Sequence, residues 1–275
     1  MVMMIIAGRA RQYGRFDASA SARRAGAVTR RNVAALRSAY WLVVISGFFE
    51  PLLYLLAIGV GVGALVGDVR LPDGRMIEYA AFVAPSMLAA SAMSGALSET
   101  TFNFFGKMKY MRLYDAVLAT PVRPMEIAFG ELLWGMARGS LYSAAFLVIM
   151  VLMDLTTVGW AVAAFPATLL VGLAFGGVGM ALSTLMRSWQ DFDLLGVVQF
   201  ALFLFSGTFA PVSAYRPVFR VIVEWTPLYH SVELVRGLTT GSVSVGLLLN
   251  VVYLVIMGAV GVAIAGRRMG RQLLK

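Results

Sequence analysis

The stretch SGTFAPVSAYRPVFRVIVEWTPLYHSVELVRGLTTG, residues 206–241, is apolar yet cut by Pro211, Pro217 and Pro227 into pieces of about nine to thirteen residues. Crossing roughly 30 Å of hydrocarbon takes about 20 helical residues, so no piece crosses alone. Backbone polar groups exposed at such a depth are tolerated only where they are buried in protein or line water. The stretch therefore predicts a re-entrant helical hairpin whose two short limbs enter and leave on one side. In its second limb Thr226 is placed to cap a helix and Pro227 to occupy the first helical position.

The rest of the chain fits a membrane setting. Of its 275 residues 60% are hydrophobic and 13% charged, with a mean hydropathy of +0.81, against roughly 25% charged in soluble domains. No cysteine is present, which removes disulfides, thiolate metal sites and thiol catalysis. Met1–Ala7 is apolar but short, with arginines after it rather than before it, and reads as an unprocessed cytosolic tail.

Apolar runs and turn signals predict an all-α integral membrane protein with six spans, at about 40–66, 79–102, 132–153, 160–186, 194–210 and 243–265. A cytosolic segment, 1–39, precedes the single transmembrane domain, 40–266, and a basic tail, 267–275, follows it. LPDGR at 71–75 predicts a tight reversal. Counting cations orients this reading: seventeen of the 23 Lys and Arg lie on the side of both termini and five on the other. Positive residues stay inside, so both termini are expected in the cytosol of a cell or inner-membrane protein. The net charge of +9 is then explained by orientation and contact with anionic lipid, and nucleic acid is not an expected partner.

Three groups of residues invite function. In the connection between spans two and three, Met111, Tyr114, Val117 and Leu118 recur at i, i+3, i+6 and i+7, with Lys109, Arg112 and Asp115 turned elsewhere. This predicts a short amphipathic helix, stopped by the prolines of TPVRP at 120–124. Pattern alone leaves lipid contact and partner docking equal. Within the spans, Glu50 lies about 13 Å beyond Trp41, beside a helix-bending Pro51, and Glu131 and Arg138 share a face of span three at i and i+7 near Glu99. Intramembrane charge either fixes packing or serves gating. Small residues at four-residue spacing, Gly59 with Gly63, Ser91 with Gly95 and Gly172 with Gly176, predict close helix contacts.

The third group is Pro227, His230, Glu233 and Arg236 in the second hairpin limb. His230 and Glu233 share a helix face, as do Glu233 and Arg236. The sole histidine has neither a second His nor a Cys to build a metal site, and nothing marks an activated serine beside it. Structural hydrogen bonding and a gate or proton-sensitive role stay open. No catalytic, cofactor or metal residue is identified, and GxxxxGK[ST] is missing, so any ATP and Mg would be held by a second protein.

Four stretches in this order, EPLLYLLAIGVGVG at 50–63, TPVRPMEIAFGELLW at 120–134, SGTFAPV at 206–212 and PLYHSVELVRG at 227–237, resemble the membrane subunit of type-2 ABC exporters. The resemblance runs from about residue 30 to the end and is closest to the permeases for lipo-oligosaccharide nodulation signals and for daunorubicin-type drug efflux. It implies a dimer of six-span permeases, two copies of one chain or two related chains, driven by cytosolic ATPases. It further implies an interfacial helix at about Gly26–Ala39, an ATPase-coupling helix around Lys109–Ala119 and an external gate formed by the hairpin. Expected substrates are amphipathic, lipid-linked or hydrophobic: lipo-oligosaccharide, glycolipid, polysaccharide or drug. Two other readings are a proton-coupled secondary carrier using Glu50 or His230, and a membrane-embedded lipid-modifying enzyme.

Overall fold

The computed structural model describes residues 18–36, 49, 52–71 and 74–273; the expectations for Glu50, Pro51 and the first half of span one lie outside the described residues. Helix α1 is Ala18–Leu36, and α2 covers 52–66, with a π-helical middle at Ala57–Val62. A small antiparallel pair follows, β1 Asp68–Arg70 and β2 Met76–Glu78, in the register Asp68↔Glu78, Val69↔Ile77, Arg70↔Met76. The expected reversal closes it, with Gly74 at φ +87° and Leu71 N donating to Arg75 O at 2.8 Å. This hairpin amends the all-helical expectation: the polar connection is long enough for one ladder before α3 begins.

The remaining elements are helices: α3 Tyr79–Ser98, α4 Leu113–Leu118, α5 Pro124–Leu152, α6 Val158–Ser183, α7 Asp191–Leu204, α8 Pro217–Glu224, α9 Pro227–Thr239 and α10 Gly246–Leu273. Two π-helical segments, Glu99–Asn103 and Gly106–Tyr110, carry α3 beyond its expected end at 102. Among the described residues four helices are long and apolar enough to cross a membrane: Tyr79–Tyr110, Pro124–Leu152, Val158–Ser183 and Gly246–Arg271.

Two boundaries differ from expectation for physical reasons. α5 starts at Pro124 rather than near 132, because Arg123 stays extended and Glu126 at the third helical position accepts from the Arg123 backbone N–H at 2.9 Å, which closes the helix start. α7 has 14 residues, about 21 Å of helix, and stops short of the expected 210. Gly207 at φ +72° turns the chain there, and Ser206 and Thr208 are buried, their hydroxyls 2.8 Å apart.

The bundle is packed around α3 and α6. α6 and α10 meet along a glycine seam: a Cβ at Gly258 would lie 3.2 Å from Ala174 Cα, and one at Gly261 would overlap the Gly177 backbone and sit 2.5 Å from Val178 N. Removing side chains lets two backbones approach where lipid supplies no hydrophobic drive. The small pairs picked out by spacing are divided: a Cβ at Gly95 or Gly172 meets nothing within 4 Å, whereas one at Gly176 would come 2.8 Å from Leu132 Cδ1 and 3.4 Å from Thr100 Cγ2, a close contact as the spacing predicts. An apolar core formed by α3, α5, α6, α9 and α10 fills the end of the bundle near the β-hairpin. A second one, including Phe104, Tyr114, Ile127, Met180, Ala265 and Met269, fills the end near α1.

Candidate functional site

The α1 end of the bundle is held by buried carboxylates of α5. Glu126 takes a two-pronged contact from Arg24, with Nε and a terminal nitrogen each at 2.7 Å, and a hydrogen bond from Ser21. One turn on, Glu131 accepts from Arg31 at 2.9 Å, Asn32 at 2.9 Å and Lys107 at 2.7 Å. A buried carboxylate is costly unless its lone pairs are filled, and here three partners from two other elements fill them. Gly130 sits between the two acids, where a Cβ would come 2.6 Å from Val28 Cβ and 2.7 Å from Ala25 O. The helix expected at about 26–39 thus begins at Ala18, anchored by residues whose partners come about a hundred positions later.

The short amphipathic helix expected in this connection is present as α4, six residues long, entered through Arg112 in the left-handed region at φ +46°. Tyr114 is buried against Phe104, ring centroids 5.3 Å apart, with Val117 and Leu118 packed on the same core. Burial, with the Glu131 carboxylate adding to it, holds the Tyr114 phenol well above its ordinary pKa. Met111 departs from the expected stripe: it precedes the helix and is 73% exposed. Lys109, Met111, Arg112 and Asp115 therefore form an outward surface, backed by Tyr114 and Leu118.

An aromatic cluster missed by the sequence reading borders this surface. Trp189, in the turn before α7, stacks on Tyr110 with centroids 5.1 Å apart and meets Phe102 at 4.6 Å and Phe105 at 5.3 Å. Phe192 joins it, 5.2 Å from Phe105, and the Lys109 ammonium lies 5.5 Å from the Phe105 ring. The signal available was FFxxxxY at 104–110 and WxxF at 189–192; helical periodicity says nothing about rings meeting across a loop.

Within the spans, Arg138 pairs with Glu99 of α3 and reaches the Tyr142 hydroxyl at 3.2 Å. Glu131 and Arg138, read together from their shared face, take different partners. A cavity of ≈ 290 Å³ opens between α2, α3, α5 and α7, its apolar and aromatic walls interrupted by Tyr54, Ser91, Ser94 and Gln199.

At the other end the stretch predicted as a hairpin forms two successive short helices, α8 and α9. Thr226 caps α9, its hydroxyl accepting from Tyr229 N at 3.3 Å, and Pro227 holds the first helical position. α9 packs on α3, α6 and α10, whereas α8 leaves Val218, Phe219, Ile222 and Trp225 exposed. Arg236 is the fastening point: its buried guanidinium donates to Glu233 at 2.7 Å, Ser86 Oγ at 2.6 Å, Gly207 O at 2.7 Å and Phe82 O at 3.3 Å. His230 turns away from Glu233, placing Nδ1 2.7 Å from Asn250 Oδ1 and its ring 4.0 Å from that of Tyr253, both on α10. The expected trio is thus divided, Glu233 and Arg236 facing α3 and His230 facing α10.

Comparison with known proteins agrees with this architecture. The Nodulation protein J of Rhizobium leguminosarum bv. trifolii is 33% identical over 250 residues, covering 89% of this chain and 94% of that protein. That of bv. viciae is 31% identical over 250 residues, 89% and 95%, and that of Rhizobium meliloti (strain 1021) is 33% identical over 224 residues, 80% and 84%. Residues 24–240 match the family described as ABC-2 type transporter, and with three of the four membrane-length helices inside that match the chain belongs to the ABC-2 type transporter family as a membrane-embedded permease.

Proposed function

We propose that the chain is the six-span permease subunit of an ATP-driven exporter, working as a dimer with itself or a related permease and with both termini in the cytosol. A separate cytosolic ATPase docks on the surface of Lys109, Met111, Arg112 and Asp115. Outward export of an amphipathic, lipid-linked or hydrophobic substrate follows, through alternating access, with the α8–α9 hairpin at the exit. The observation that carries this reading is the outward surface around α4: it is polar and exposed, yet Tyr114 and Lys107 root it in the same core and charge cluster that hold α1 and α5. A push there reaches the spans without passing through a soft linker. The amphipathic lining of the cavity beside α7, aromatic rings with isolated hydroxyls and one amide, supports a substrate of the same character.

Co-expression with an ATPase and reconstitution test the proposal. Substrate-stimulated hydrolysis by the co-purified pair is expected, and Arg112→Glu should reduce that stimulation at least tenfold while leaving the exposed site folded. Transport by the chain alone, following a proton gradient, would sink the proposal in favour of a secondary carrier; His230→Ala then becomes the deciding variant, since export should survive it under the carrier reading only if His230 moves no proton.

A further inference from the structure

The ring cluster beside α4 joins two helices that sit in the bundle very differently. Phe102, Phe105 and Tyr110 stand on the extension of α3, the helix around which the bundle is packed. Trp189 and Phe192 belong to the start of α7, all 14 of whose residues are at least partly exposed. Trp189 precedes that helix but is fixed to it: the Asp191 carboxylate accepts from the backbone N–H of Arg187 at 2.6 Å and of Ser188 at 3.3 Å, closing the turn from which α7 starts. The ring edge of Trp189 lies over bare backbone, since a Cβ at Gly106 would meet its Cη2 at 3.6 Å. At the far end of α7 the Gly207 carbonyl is held by the buried Arg236, and Phe203 meets Phe209 edge to face with centroids 5.3 Å apart. Between these ends α7 supplies Gly196, Gln199, Phe200 and Phe203 to the ≈ 290 Å³ cavity.

Such an arrangement makes α7 a lever. Its far end is tied to a guanidinium that also grips α3, whereas its near end is held by rings, which orient one another yet tilt without breaking a hydrogen bond. Tyr110 directly precedes Met111, and the Lys109 ammonium lies 5.5 Å from the Phe105 ring, so the outward surface around α4 and the cluster share adjoining residues. The π-helical segments Glu99–Asn103 and Gly106–Tyr110 put the wide turns of α3 directly under the rings, and turns of this kind gather at functional positions. Load on α4 therefore has a short route into α7, and tilting α7 about Gly207 changes the width of the cavity that it walls.

We propose that Trp189 is a positioning residue for transport: its stack on Tyr110 is the joint through which a docked ATPase tilts α7 and so opens and closes the cavity. The proposal rests on the reading of the α4 surface as the docking site. The chain has no cysteine, so spin labels on introduced cysteines report chosen sites alone. Labels at Leu194→Cys, in the first turn of α7, and Leu141→Cys, on α5, both at exposed positions, are followed by pulsed dipolar spectroscopy in phosphatidylcholine nanodiscs against singly labelled controls. In the permease alone Trp189→Ala should broaden the distance distribution roughly twofold, as for a helix end that has lost its packing, and Trp189→Phe, which keeps a ring, should restore most of it. With a co-purified ATPase, ATP and vanadate should shift the wild-type distance by roughly 2 Å or more, the scale of helix shifts in coupled transitions. That shift should vanish in Trp189→Ala while the variant retains the ATPase and its basal hydrolysis. Trp189→Leu, which keeps apolar bulk but no ring face, should behave like alanine and is the variant to read if alanine unfolds the chain. Equal widths in wild type and both ringless variants, or a nucleotide-driven shift that persists without the ring, would overturn the assignment. So would a wild-type distance left unmoved by ATP and vanadate while a bound ATPase turns over. An ATPase that fails to bind the chain at all faults the exporter reading instead, and the widths measured on the permease alone still decide whether the ring holds α7.

Discussion

Arg236 of α9 lies over the ring of Phe82 of α3, its guanidinium carbon 4.0 Å from the centroid, while its nitrogens bond Ser86, Glu233 and the Gly207 carbonyl. One side chain thus joins the second hairpin limb, the turn after α7 and the first turns of α3. A guanidinium suits this because its planar fork serves several acceptors while its face lies on an arene.

Arg236→Met should therefore lose about 3–5 kcal/mol of stability, as for one partner removed from a buried pair. Thermal unfolding in detergent checks it, and Arg236→Lys should recover only part of the loss because one ammonium cannot span four acceptors. An unchanged midpoint for the methionine variant would show that the hairpin is held by apolar packing instead.

Glu131→Gln tests the opposite end. It leaves Arg31 and Lys107 facing a neutral amide, and a cost of about 3 kcal/mol or more is expected. The local readout is proteolysis: trypsin should cut α1 at Arg30 or Arg31 much faster in the variant, since α1 reaches the bundle through Glu126, Glu131 and Gly130. Equal cutting rates would mean that the apolar side of α1 suffices.

The glycines give a paired test. Gly261→Ala forces a methyl into the α6 backbone and should cost several kcal/mol, comparable with an overpacked core. Gly172→Ala enters open space and should stabilise α6 by up to about 1 kcal/mol through helix propensity alone. Opposite signs are expected in the two unfolding midpoints, and a destabilised Gly172→Ala would reveal a neighbour at that face.

Tyr114 predicts an alkaline limit. Its phenol, ordinarily near pKa 10.0, is raised well above that by burial, so the unfolded chain releases this proton first as pH rises. The stabilisation is whole below about pH 10 and is lost as pH rises from there through the folded value. Exposure of α4, followed by tyrosinate absorbance, should set in above pH 10, and Tyr114→Phe should remove that one step.

Much of this was legible in the sequence, for reasons that also mark where legibility ends. The prolines at 211, 217 and 227 announce a broken segment because proline's effect on a helix is local. The start of α5 was hidden because Glu126 and Glu131 look like loop residues until Arg24 and Arg31 supply their counter-charges from far along the chain. Likewise the partner of His230, Asn250, is twenty positions away on another helix. The α6–α10 seam uses Gly258 and Gly261 at a spacing of three against Gly177, whereas the four-residue pairs that stand out in the sequence leave Gly95 and Gly172 in the open. Apolar length overran at α7 because hydropathy is blind to the left-handed turn at Gly207.

The charge clasp on α1 also has a consequence for how the chain is made. α1 emerges from the ribosome early, carrying Arg24 and Arg31, but Glu126 and Glu131 follow only about a hundred residues later, when α5 is synthesised. Until then the helix has no carboxylates to close on. Its docking thus reports that α3 and α5 are both in place, and a stalled or truncated chain displays unpaired arginines where a finished one displays none of these, a difference that a quality-control protease can read.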